Sequence, residues 1–181
     1  LKPNGEIVKR YYSFPNYQIY LKILPNLVES DRNWYELIAN DTKVKPVFDI
    51  EWYSMAEGYK HYEPHEIYNM IEGYLISIVS DYDSSITSLN TVILESHAAN
   101  KTKFSYHILL PDYYLKDHVK CGKAFAQLVI DKINLDPESP LHFCLDKSGN
   151  PKLPIDTSIY TTNRVFRMKG HPYISYFIHS I

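Results

Sequence analysis

Two short segments in which every second residue is polar constrain this chain more than any other feature: Phe48-Asp49-Ile50-Glu51-Trp52 and Lys103-Phe104-Ser105-Tyr106-His107. Side chains in a strand point alternately to opposite faces. The first segment therefore sends Asp49 and Glu51 to one face and Phe48, Ile50 and Trp52 to the other. The second does the same with Lys103, Ser105 and His107 against Phe104, Tyr106 and Ile108. One strand is acidic and the other is basic and hydroxyl-bearing, so together they look like halves of one site for a metal and a phosphate.

A chain of 181 residues is long enough for one domain with a real core and too short for two ordinary ones, so 1–181 is read as a single domain. Apolar residues at 45% and charged residues at 22% lie near the globular norm, which excludes disorder for the body of the chain. A formal net charge of −2 argues against holding nucleic acid by global charge, so any polyanion contact must be local. Cys121 and Cys144 have no CxxC spacing and make no disulfide scaffold, which points to an intracellular, reducing compartment. No apolar run approaches the roughly 20 residues that span a bilayer. The N-terminus has no basic-then-apolar secretory pattern either, so no membrane contact is expected. The 17 tyrosines fit a biased genome as readily as a function. Because the chain begins at Leu1 rather than Met, it is expected to be part of a longer protein.

The order of periodicities suggests the architecture. Val44–Trp52 reads as a strand. Pro64, with Glu63 and Glu66, opens a helix over His65–Ser80, where Ile67, Met70, Ile71, Tyr74, Leu75 and Ile78 form one apolar stripe. Thr91–Glu95 and Lys103–Leu110 are strands, and His118–Ile133 is a second helix. Residues 134–154, rich in Pro, Asn, Ser and Gly, read as a long loop of the kind that is often functional. Thr162–Met168 closes the series as a strand. Strand, helix, strand, strand, helix, strand within an α+β class is the ferredoxin-like split βαβ arrangement, shared with RNA-recognition domains. It sets the first and third strands side by side, bringing Asp49 and Glu51 next to Ser105 and His107 while both helices cover the other face. Residues 1–43, with a helical-looking Asp31–Ala39 segment, have no place in that core and are expected to add an N-terminal α/β flanking layer.

Two carboxylates at i and i+2 repel each other unless a cation lies between them, and a hard divalent ion with oxygen ligands is the usual answer. A third carboxylate would complete a two-metal site for phosphoryl transfer. Asp156, just ahead of the last strand, is the candidate; equally, it reads as capping a turn through Thr157 and Ser158. The segment from Tyr160 to Lys169 carries Arg164, Arg167 and Lys169 and no acid. Such a run is either a solvated edge or a clamp for a polyphosphate, to which guanidinium forks are suited.

These residues resemble the archaeo-eukaryotic primase superfamily, and within it the primase-polymerases of eukaryotes and large DNA viruses. Asp49-Ile50-Glu51 is similar to its acidic DxE motif, Ser105-Tyr106-His107 to its SxH motif, and Ile155-Asp156 to its hydrophobic-Asp motif. The third likeness extends through Tyr160-Thr161, Asn163-Arg164 and Phe166-Arg167, matching D-x-x-x-Y-T-x-N-R-x-F-R, and the whole covers 44–170. The resemblance implies that Asp49, Glu51 and Asp156 hold two Mg²⁺ or Mn²⁺ ions. It implies that Lys103, Ser105, His107, Arg164, Arg167 and Lys169 grip the triphosphate of an NTP or dNTP. The implied reaction is attack of a primer 3′-hydroxyl on an α-phosphate, templated by single-stranded DNA, with pyrophosphate leaving. A fused or associated helicase is the implied partner, and either the nucleus or a viral replication site in the cytoplasm fits. Val165 departs from the polar residue usual there. His142, Cys144 and Cys121 are too irregularly spaced for the zinc module that eukaryotic members carry after the core.

Two alternatives stand beside this one. A rolling-circle replication nuclease would use a tyrosine nucleophile, for which Tyr113 and Tyr114 with Lys116 are available, but it needs a His pair where the strand offers Ser105 and His107. A catalytically silent module binding single-stranded DNA would stack bases on aromatics of an open sheet face. Phe48, Phe104 and Tyr106 are instead expected to face the helices.

Overall fold

The computed structural model describes residues 17–26, 35–38, 43–95, 103–162, 164–167 and 175–179. In chain order its elements are α1 (Tyr17–Ile23), β1 (Tyr35–Ile38), β2 (Val47–Trp52), β3 (Ser54–Met55), α2 (Pro64–Tyr82), β4 (Thr91–Glu95) and β5 (Phe104–Leu109). These are followed by α3 (Lys123–Asn134), β6 (Cys144–Leu145), β7 (Arg164–Arg167) and β8 (Ser175–His179). The protein is a mixed α+β structure with antiparallel sheets.

The central sheet has the order β2-β5-β4-β8, each strand antiparallel to the next. β2 and β5 are thus adjacent, as the order of elements leads one to expect. Their apolar residues form the core: Phe48, Ile50 and Trp52 from β2 meet Phe104, Tyr106 and Ile108 from β5. Phe48 lies edge-on to Phe125 of α3 with ring centroids 5.1 Å apart, and Tyr106 lies 6.1 Å from Tyr68 of α2. Both helices therefore cover the same face of the sheet. Burial of Phe48 and Ile50 alone contributes about 1.5–3 kcal/mol each.

α2 starts where its sequence says it should. Pro64 occupies the first turn, where no amide donor is needed, and the Glu66 carboxylate accepts the Glu63 amide at 2.8 Å. Ile67, Tyr68, Ile71, Leu75 and Ile78 form its buried stripe. α3 is preceded by a wide π-type turn, His118–Gly122, whose Lys120 amide donates to the Asp117 side chain.

Three expectations need correction. Asp31–Ala39 was expected to be helical, but its described part, Tyr35–Ile38, is a strand paired with β7. Pairing in a sheet outweighs a weak local helical pattern. The Thr162–Met168 strand, described over Arg164–Arg167, joins β1 rather than an edge of the central sheet. Alternation identifies a strand but carries no information about its partner. Residues 134–154 are not all loop: they contain the 3₁₀ turn Pro140–Phe143 and β6, which pairs with β3. Of the expected flanking layer, α1 and the 3₁₀ turn Leu24–Asn26 that follows it are also described, and residues 1–16, 27–34 and 39–42 lie outside the described residues.

The edge of β2 opposite β5 is occupied by the returning chain at 154–156. Glu51 donates its amide to the Pro154 carbonyl at 2.6 Å, Asp156 donates to the Asp49 carbonyl at 2.8 Å, and Ile50 bridges Ile155. The ladder stops there for a chemical reason. Pro154 has no amide proton to return to Glu51, and past Asp156 the chain turns into the 3₁₀ segment Thr157–Ile159. Among the described residues, no helix is long and apolar enough to cross a membrane.

Candidate active site

Antiparallel pairing puts directly opposite residues on one face of the sheet. In the β2–β5 register Asp49 is opposite His107 and Glu51 is opposite Ser105. On the other edge of β2, the Ile50–Ile155 bridge puts Asp156 opposite Asp49. The result is a row running Asp156, Asp49, His107 and, beside it, a shorter row of Glu51 and Ser105. All five are on the face away from α2 and α3, since their neighbours Phe48, Ile50, Tyr106 and Ile155 are buried on the helix side.

Acids and bases on this face meet in pairs. Lys103 Nζ lies 2.5 Å from Glu51 Oε2, and His107 Nε2 lies 3.5 Å from Asp49 Oδ1. Asp49 is buried whereas Glu51 is part-exposed. A buried carboxylate is costly without a cation or donors beside it, and the base nearest Asp49 Oδ1 across the pair is His107. Asp156 has its own arrangement: Oδ1 accepts the Ser158 amide and Oδ2 the Ser158 hydroxyl, both at 2.9 Å. It caps the 3₁₀ turn, and from that same position it faces Asp49 across the bridge.

Tyr160 holds this corner together, a role that its place in the motif did not disclose. Its hydroxyl donates to the Val47 carbonyl at 2.8 Å, and its ring lies 5.3 Å from that of buried His118. His118 in turn contacts the Ile159 carbonyl through Nε2 at 3.1 Å. Burial pushes the Tyr160 phenol above its ordinary range, and the charges of Asp49 and then Asp156 push it further. Both carboxylates thus lie near the same phenol. The close approach depends on Gly122, because a Cβ there would lie 2.7 Å from the Tyr160 ring.

The remaining candidates are placed less fully. Arg164 and Arg167 lie in β7, opposite Ile38 and Tyr35 of β1. Lys169 lies outside the described residues. Tyr113 and Tyr114, the alternative nucleophiles, line an apolar groove with Ile78, Val79, Phe125 and Leu128 on the helix side. Cys121 and Cys144 are both free thiols.

Asp49, Glu51 and Asp156 offer an all-oxygen, negatively charged donor set of the kind hard divalent cations take. Among the described residues, no three His, Cys, Asp or Glu side chains are gathered into a ready metal cage. The reason is visible in the pairs above: each acid is turned towards a protein partner, Lys103, His107 or Ser158. No protein-family model matches the chain, and no curated protein matches it significantly.

Proposed function

We propose that this chain is the catalytic core of a primase-polymerase, adding an NTP or dNTP to a 3′-hydroxyl on a single-stranded DNA template. The observation that carries the reading is the joint register, in which Asp156, Asp49 and His107 lie across three adjacent chain segments with Glu51 and Ser105 alongside. Acids from two separate stretches of sequence share a face with the basic and hydroxyl groups, supplied by a third, that polyphosphate would need. The strand order also supports the split βαβ reading. β2 and β5 are adjacent, α2 links β2 to β4, and α3 links β5 to the segment at 154–156 that takes the fourth-strand position.

Asp49, Glu51 and Asp156 would hold two Mg²⁺ or Mn²⁺ ions, which would activate the 3′-hydroxyl and neutralise charge on the α-phosphate as pyrophosphate leaves. The protein's part is positioning and charge exchange. Glu51 released from Lys103, and Asp49 from His107, leaves both bases free to bind phosphate oxygens on the same face. The Ser105 hydroxyl, between them on β5, donates to the same polyphosphate, and Arg164, Arg167 and Lys169 complete the clamp. A resting site whose acids and bases are mutually paired needs little rearrangement to accept a cation and a polyanion together. The placement of Tyr113 and Tyr114 on the helix side weighs against a tyrosine nucleophile, and burial of Phe48, Phe104 and Tyr106 weighs against base stacking on this face. The same reading carries the expected helicase partner and a reducing compartment.

Primer synthesis and primer extension with labelled NTPs and dNTPs, each with Mg²⁺ and with Mn²⁺, test the proposal. Metal-dependent product is expected, and replacing Asp49 and Glu51 by Ala should reduce it by about a hundredfold or more while template binding persists. Absence of product with every nucleotide and metal from a folded protein would sink it.

A further inference from the structure

A polar pocket of 170 Å³ opens beside Glu51, lined by Glu51, Tyr53, Asp146, Lys147, Ser148 and Lys152. It is formed because β2 runs on past Glu51 with the returning chain at its side, the Tyr53 amide donating to the Leu145 carbonyl at 3.0 Å. Its outer wall is a single tight turn. The Asp146 carboxylate accepts the Ser148 and Asn150 amides at 2.8 and 2.9 Å, and the Asp146 amide donates to the Asn150 carbonyl at 2.9 Å. Gly149, at φ 79°, supplies the left-handed residue that the turn requires.

This turn determines which charges are available. Asp146 is committed to backbone donors, and the Asn150 amide in particular holds its carboxyl below the usual carboxylate range. Glu51, on the opposite wall, is met by Lys103. Among the described residues neither Lys147 nor Lys152 is in a salt bridge. The pocket thus has two ammonium groups outside any salt bridge, Lys147 on the turn and Lys152 just after it, the latter near enough to Asp146 to help hold its carboxyl down, next to a carboxylate of the candidate active site. Its volume is below the roughly 300 Å³ at which pockets begin to enclose whole ligands, so it suits one charged group of a larger molecule.

We propose that this pocket is a phosphate subsite, with Lys147 and Lys152 binding the oxygens of a phosphate whose parent molecule reaches the acids at Asp49 and Glu51. The choice of phosphate rests on the nucleotidyl-transfer reading. Two sources share this chemistry: the polyphosphate of an incoming nucleotide and a phosphodiester of the DNA strand. Neither lysine belongs to the motifs described above, and both are supplied by the loop that precedes Asp156.

The test compares the parent chain with the Lys147→Ala/Lys152→Ala and Lys147→Arg/Lys152→Arg double variants. Thermal melting serves as the folding control. One arm titrates tripolyphosphate and a nucleoside triphosphate; the other titrates a labelled single-stranded oligonucleotide at several salt concentrations. The Ala variant should lose about tenfold in affinity in one arm, and the Arg variant should recover it. Loss confined to the first arm assigns the nucleotide tail. Loss in the second arm, with the salt slope falling by about 0.7 for each lysine that contacts a phosphate, assigns the strand. Unchanged affinity in both arms, or a parent that binds neither ligand, overturns the proposal. Lysine-dependent binding without nucleotide incorporation would keep the subsite and remove the polymerase reading. Incorporation with lysine-independent binding would do the reverse.

Discussion

On one side of β2 a regular ladder runs from Val47 opposite Leu109 to Trp52 opposite Phe104, whereas on the other side two amide hydrogen bonds and one bridge join it to residues 154–156. The first side sets Asp49, Glu51, Ser105 and His107 in a register that a slip of one residue would destroy, because every core side chain would change face. The second side holds Asp156 by a local device: a cap to Ser158, a Tyr160 hydroxyl on Val47, and a ring fitted against Gly122. The difference teaches that two of the three acids are placed by the hydrophobic core itself. The third is placed by a turn and is the more easily displaced.

The most damaging way to break this contrast is at Asp156, where capping and catalysis coincide. Ser is as good an N-cap as Asp, whereas Ala is not. Asp156→Ser should therefore melt close to the parent and still lose incorporation by about a hundredfold. Asp156→Ala should lose the same activity and about 0.5–2 kcal/mol of stability as well. Full activity in Asp156→Ser, measured by primer extension, would reduce Asp156 to a turn residue.

A smaller effect is expected where the turn meets the core. Gly122→Ala drives a methyl group into the Tyr160 ring and should cost about 1–3 kcal/mol. Tyr160→Phe removes only the hydrogen bond to Val47, at about 0.5–1.5 kcal/mol. Denaturant melts give both values. If they reversed in order, the packing at Gly122 would not be what holds the corner.

Legibility in the sequence follows the same division. The Asp49/Glu51 and Ser105/His107 faces could be read because a period of two is an intrinsic property of a strand, and the stripe from Ile67 to Ile78 because a helix has one too. Pairing partners have no such signature, so Arg164–Arg167 was readable as a strand and not as the partner of Tyr35–Ile38. Asp156 could be read as a cap or as a ligand from its neighbours Thr157 and Ser158, and its place opposite Asp49 needed the return of the chain along β2. Tyr160 was visible within a motif, but its function depends on contacts with Val47, His118 and Gly122, which are distant in sequence. The turn at Asp146 had the Asp and Gly that such turns use, although nothing local connected its lysines to Glu51.

The central claim is that Asp49, Glu51 and Asp156 act together on divalent cations. Mn²⁺ binding followed by electron paramagnetic resonance, in the parent and in Asp49→Asn, Glu51→Gln and Asp156→Ser, tests it without reference to turnover. The account predicts Mn²⁺ bound by the parent, strengthened by a nucleoside triphosphate, and weakened at least about tenfold by each of the three substitutions. Mn²⁺ binding of equal strength in the parent and all three variants, each shown to be folded, would contradict it.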